Sequence, residues 1–177
     1  RSARGARAGR GGGGGVEGEG ALGVWGGGGP VGWGASQLAG GCVPGWNVGA
    51  RRTDGLRDTV TGGVALARLT LNQAPVHGDP ALGPDGRRLV YGGHTIGLAQ
   101  ASLTRMFPDT ATVLGWQACD HLAPVFEKDV LGFHHTLLDE QPTAGGRLRA
   151  IRVEVDAQGG DDPPRPVLDW RVVTWGA

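Results

Sequence analysis

Apolar positions fall into two regimes along this chain. Before residue 64, no helical or strand-like apolar period survives for more than a few positions, as in GRGGGGGVEGEG, WGGGGPVGWG and LAGGCVPGW. Beyond it the periods become readable. GVALARLTL is apolar enough for a short buried helix or the passage from a strand into one. In GGHTIGLAQASLTRMFP, residues Ile96, Ala99, Leu103 and Met106 recur at spacings of three, four and three, one stripe of a helix. Thr95 is placed to cap its start and Pro108 to stop it. Strands are predicted in TATVLGWQACDHL, DVLGFHHTLL, RLRAIRVEVDA and PVLDWRVVTW. In the last, Leu168, Trp170 and Val172 face one way and Asp169 and Arg171 the other. In the third, Leu148 and Ala150 alternate and the apolar phase then jumps to Ile151, Val153 and Val155, which predicts a β-bulge there. EQPTAGGR and AQGGDDPPRP supply the turns. One long buried helix followed by four antiparallel strands that can wrap it is an α+β fold, a curled sheet around a central helix.

Composition sharpens the division. Of 36 glycines, 23 precede residue 64. Glycine loses the most backbone entropy on ordering, so residues 1–57 are expected to be a disordered Gly/Arg-rich segment and residues 58–177 the folded domain. RSARGARAGRGG is short for an RNA-binding Arg-Gly tail, and Trp25, Trp33 and Trp46 are the only aromatics near it. A start or reading frame set in GC-rich DNA would also yield this mixture, and one Lys stands against sixteen Arg. Formal net charge is zero, yet residues 64–177 carry ten basic against thirteen acidic side chains, which argues against nonspecific nucleic-acid binding. Cys42 and Cys119 do not make a disulfide framework, and the expectation is a reduced, cytoplasmic protein. No apolar run is long enough to span a membrane, and no signal peptide is readable.

The candidate chemistry sits in TLNQAPVHGDP, residues 70–80. Read by composition, it is an Asn/Pro/Gly/Asp turn with an exposed His. Read as a site, it holds a polar Asn72, Pro75 three residues on and His77 five residues on. Elsewhere, strand alternation puts Cys119 and His121 on one face and Asp120 on the other, which defeats a nucleophilic triad. His134 and His135 point to opposite faces, which defeats chelation by that pair, and no spacing matches a zinc site. GGGGG lacks the Lys-Ser/Thr of a phosphate loop. Arg87 and Arg88, just before the helix, either meet phosphates or form a solvated loop pair.

These segments together resemble the hot-dog fold of the MaoC-like (R)-specific enoyl-CoA hydratase/dehydratase family. Asn72, Pro75, His77 and Asp79 match its Asp-Pro-His-Asp pattern with Asn in place of the first Asp. Gly92-Gly93 matches its helix opening, and PVFEKD at 124–129 its Pro-Val-Phe-x-Gly-Asp turn. RRLVYGGHTIGLAQA, TVLGWQACDH and VLDWR look most like the C-terminal half of double-hot-dog members. The resemblance covers about residues 58–177. The sequence departs from it at Asn72, at Gly92 where many members have a His, with His94 two positions on, and at Lys128 in the turn.

The resemblance implies reversible addition of water to a trans-2-enoyl-CoA thioester. It implies His77 as base, Asn72 as water-positioning group, and the Gly93 amide as donor to the thioester oxygen. An amide at 72 cannot take a proton, though it can accept and donate hydrogen bonds. Asp79, Arg87, Arg88 and His94 are the candidate substrate-binding groups, with His94 equally readable as an ordinary N-terminal helix residue. No cofactor or metal is implied beyond the CoA thioester as substrate. The implied partner is a second hot-dog domain, as a homodimer or a missing N-terminal half. The alternative is a catalytically impaired module that binds acyl-CoA or a partner hot-dog domain.

Overall fold

The computed structural model describes residues 20–23, 34 and 46–177. The expectation of a disordered segment falls for the most part outside these residues. In chain order the elements are β1 (Arg51–Thr53), β2 (Asp58–Thr59), α1 (Gly63–Leu69), α2 (Gly92–Met106), β3 (Thr110–His121), β4 (Val130–Thr143), β5 (Gly146–Gln158) and β6 (Arg165–Gly176). Three short 3-10 turns, Pro75–His77, Pro80–Leu82 and Pro84–Gly86, fill the loop between the helices. The sheet is antiparallel in the order β1-β4-β5-β6-β3, with β2 also paired to β4. The hot-dog arrangement of four long strands and one central helix is present as expected.

The boundary at residue 58 is corrected. Arg51–Thr53 pair with His134–Thr136 of β4. Trp46 stacks on Phe107 with ring centroids 4.5 Å apart and donates its indole N–H to the Met106 carbonyl at 3.3 Å. Strands of two and three residues are too short to display alternation, so pattern alone assigns them to the Gly-rich segment.

α2 starts earlier than a Thr95 cap requires. Gly92 and Gly93 are already helical, Tyr91 precedes them without a side-chain cap, and Thr95 lies buried in the first turn. Its end is as expected. Phe107 leaves helical geometry (φ −128°, ψ 73°), because a residue before proline is pushed out of the α region. Ala99, Leu103 and Phe107 pack against Leu131, Phe133, Ile151, Val153, Val155 and Trp170 of the sheet. Each large side chain buried this way contributes about 1.5–3 kcal/mol relative to exposure.

The bulge predicted in β5 lies elsewhere. Leu137 faces Ile151 and Asp139 faces Ala150, so the extra residue is Leu138 of β4; a second register shift puts Val167 of β6 out of step with Val155–Asp156. β5 keeps its alternation and is buried on both faces at Leu148–Ile151. Ile151, Val153 and Val155 join the helix side, whereas Leu148 and Ala150 join an outer cluster with Leu22, Val173 and Trp175. The apparent phase jump comes from this change of face and from Arg149, a buried charge in an otherwise apolar row. Its guanidinium grips Asp109 through two hydrogen bonds of 2.8 and 2.6 Å and reaches Glu140 at 2.7 Å. Asp109 is thereby committed to structure and is not available as an acid.

A polar cluster ties the helix to the first strands. Ser102 Oγ donates to Asp54 Oδ2 at 2.6 Å, and Arg105 donates to Asp54 at 2.9 Å and to Asp58 at 3.1 Å. Burial works to raise the Asp54 carboxyl, but the bonds from Ser102, Leu56 N–H and Arg105 outweigh it and hold the group below its ordinary value. His135 lies fully buried beside this cluster, its Nε2 3.4 Å from Ser102 Oγ. Burial pushes its pKa down to about 4, with Asp54 opposing and His134 and Arg105 assisting. Native His135 therefore stays neutral while the unfolded residue protonates. Its contribution is present above about pH 6.5 and is lost as pH falls toward about 4, about 3 kcal/mol in all. Urea unfolding at pH 7 and pH 4.5 should show this loss in the parent and a clearly smaller one in His135→Leu.

Candidate active site

The loop between α1 and α2 is closed by a two-bond clip. Leu89 N–H donates to the Val76 carbonyl at 3.2 Å, and His77 Nδ1 lies 2.8 Å from the Leu89 carbonyl. A carbonyl can only accept, so Nδ1 carries the proton and Nε2 carries the lone pair in the neutral ring. Leu89 also bridges to Phe126, and Val90 N–H donates to the Val125 carbonyl at 2.9 Å, which carries the clip into the wall formed by residues 121–126. Between them lies a cavity of about 530 Å³, lined by His77, Leu89, Gly92, Thr95, His121 and Val125 among others. Its lining is mostly apolar, as is usual for a small-molecule site.

His77 also lines a second cavity of about 160 Å³ with Asn72, Pro75 and residues of α1, so the two motif residues share one space. Asn72 Oδ1 accepts from Ala74 N–H at 3.0 Å, an Asx turn that sets up Pro75, and its own N–H donates to the Ala67 carbonyl at 2.9 Å. The amide NH₂ is the half of Asn72 left to meet a ligand. Asp79 caps the next 3-10 turn, with Oδ1 accepting from Ala81 N–H at 2.9 Å, and so shapes the loop. Arg87 lies 3.8 Å over the Phe126 ring and 3.4 Å from buried Asp129, and Arg88 donates to the Gly78 carbonyl at 3.3 Å.

At the helix start, Gly92 and Gly93 occupy the first turn, where backbone amides have no intrahelical acceptor. Gly92, not Gly93, lines the larger cavity. A Cβ on Gly93 would run into the Tyr91 ring at 2.4–2.8 Å, so its missing side chain makes room for Tyr91 rather than for a ligand. His94 turns away from the cavity. Its buried Nδ1 has no hydrogen-bond partner and neighbours Glu127 Oε2, likewise buried and unpaired, beside Gly63. Burial pushes the His94 imidazole below its ordinary value, partly offset by Glu127. Burial and then Asp120 push the Cys119 thiol up, away from its thiolate form. Among the described residues, no group of three or more His, Cys, Asp or Glu is placed to hold a metal ion, and no helix is long and apolar enough to cross a membrane.

Comparison with known proteins places this geometry. No family model matches the chain. It is 35% identical over 97 residues to the mesaconyl-CoA hydratase of Cereibacter sphaeroides, 54% of this chain and 28% of the hydratase. It is 43% identical to a conserved Mycobacterium tuberculosis protein with a double hot-dog fold, at a TM-score of 0.70, over 81% of this chain and 44% of that one. A putative MaoC domain dehydratase from Chloroflexus aurantiacus superposes at the same TM-score of 0.70 and 20% identity, over 81% of this chain and 47% of that one. The chain has the hot-dog fold. It spans less than half the length of each of these relatives.

Two lining residues of this hot-dog domain escape the sequence pattern. Thr95 reads as a cap and is instead a buried helix residue facing the cavity. His121 reads as an ordinary strand histidine, yet β3 turns back at Pro108 and returns its last residue to the first turn of α2. That return is legible only once helix and strand are treated as a pair.

The glycines of α2 supply a test of this geometry. Gly97 has open space where a Cβ would go, so Gly97→Ala should stabilise the domain by about 0.5–1 kcal/mol in urea unfolding. Gly93→Ala, forced against Tyr91, should cost about 1–3 kcal/mol in the same measurement.

Proposed function

We propose that this domain is the catalytic half of an acyl-CoA hydratase that adds water reversibly across the double bond of a trans-2-enoyl-CoA. The observation that carries the reading is the His77 Nδ1 to Leu89 carbonyl bond of 2.8 Å, which leaves Nε2 unprotonated in a ring that lines the apolar cavity. Nε2 takes a proton from water as the oxygen bonds to C3. The π electrons move into an enolate whose oxygen is held by the free amide of Gly92. The imidazolium then returns the proton to C2, so the base is regenerated each turnover. The Asn72 NH₂ orients the water without sharing in the proton transfer.

A second hot-dog domain completes the site, as a homodimer or as a separate N-terminal half. Supporting this, β3 is an edge strand of the sheet, and Trp116 on it and Leu122 just beyond its end are 54% and 55% exposed. The span of 44% of a double-hot-dog relative fits one half of such a protein. The second reading is a module that binds acyl-CoA, or only its partner domain, without turnover. It draws support from Asn72 Oδ1 being already engaged by Ala74 N–H.

Loss of enoyl-thioester absorbance with a panel of trans-2-enoyl-CoAs separates the two. Turnover in the parent that falls about 10²–10⁴-fold in His77→Ala supports the hydratase. Silence in folded parent, His77→Ala and Asn72→Asp alike supports the binding module. Silence in the parent with activity gained in Asn72→Asp identifies an intact pocket that lacks its acid.

A further inference from the structure

The larger cavity is lined by two titratable side chains, His77 and His121, and the reaction above employs only the first. His121 closes β3 and Gly92 opens α2. A Cβ on Gly92 would meet His121 Nε2 at 2.7 Å and Cε1 at 2.8 Å, so the imidazole packs on that glycine with Nε2 nearest. The side chain is exposed, and among the described residues neither ring nitrogen has a hydrogen-bond partner. A polar ring packed against the first glycine of a helix, lining a mostly apolar cavity and without a hydrogen-bond partner among the described residues, is poised for a ligand atom rather than for the fold.

We propose that His121 is a further substrate-contacting group, whose Nε2–H donates to the thioester oxygen beside the amide of Gly92. The inference rests on the acyl-thioester reading above and extends it by one donor and one required glycine. An enolate oxygen accepts more than two hydrogen bonds, and a preorganised donor aimed at it typically contributes about 10²–10³ in kcat. Gly92 has its place in this because any side chain there would displace the ring. No bond to His121 forms or breaks; it polarises the C=O and relaxes when the product leaves.

Binding of 4-(dimethylamino)cinnamoyl-CoA tests this without turnover, because its absorption band moves to the red when the thioester carbonyl is polarised. The parent chain should show the red shift. His121→Ala should lose roughly half of it or more, as expected when one of a few oxyanion donors is removed. His121→Gln, which retains a side-chain N–H, should recover part of it. Gly92→Ala should behave like His121→Ala, because its methyl pushes the ring aside while leaving both backbone amides in the helix. A red shift in His121→Ala equal to that of the parent overturns the proposal, as does a normal shift in Gly92→Ala. Failure of the parent to bind the probe overturns the acyl-thioester reading and this contact with it. A red shift that depends on His121 in a chain that hydrates no enoyl-CoA supports the contact and refutes only the hydratase.

Discussion

The hydrogen bond from His77 Nδ1 to the Leu89 carbonyl, 2.8 Å long, joins the two ends of a loop that has little else to hold it. The two 3-10 turns it encloses, and the one that carries His77, bury none of their residues and make their own bonds over only three or four positions. Leu89 passes the constraint to Phe126 and Val90 to Val125, so the loop, the start of α2 and the far wall of the cavity are set by one chain of bonds. The same bond selects the tautomer of His77. Loop geometry and imidazole tautomer are thus set by a single contact.

The rest of the molecule keeps α2 where that site needs it. Its apolar side meets the sheet through Ala99, Leu103 and Phe107, and its polar side is tied by Ser102 and Arg105 to Asp54 and Asp58. These ties fall in the middle and at the C-terminal end of the helix, which leaves the first turn unencumbered. Gly92 and Gly93 divide the work at that end: one admits an imidazole from β3, the other admits the Tyr91 ring. A helix start normally satisfies its amides with a Ser, Thr, Asp or Asn cap. Here no side chain caps it, and Gly92, with its free amide, is part of the cavity wall.

Much of this architecture was legible from residue types alone. Long periods announce themselves, so α2 and the four long strands were readable, and Leu168, Trp170 and Val172 lie buried as alternation requires. Short elements do not: β1 and β2 span too few residues to show a period, and their partner strand is about 70 to 85 residues away. The misplaced bulge has a similar origin. Pattern reading assumes one buried face, and β5 buries both, with Arg149 neutralised by Asp109 in the interior. At the site, the Asn72–His77 motif was readable because its residues are neighbours in sequence. His121 was not, because its meaning depends on the antiparallel return of β3 to Gly92, a contact between residues 29 positions apart. His94 had the right position for a ligand group and the wrong direction, toward Glu127.

The central claim is that His77 is held as the Nδ1–H tautomer with a free Nε2 lone pair. Nitrogen-15 NMR of the imidazole side chains of the folded domain above pH 7.5, with His77→Gln identifying the resonances, tests it directly. The account predicts a protonated, pyrrole-type Nδ1 and a pyridine-type Nε2 for His77 in the ligand-free protein. A pyridine-type Nδ1, or averaging of the two nitrogens as in a ring that turns freely in solvent, would contradict it.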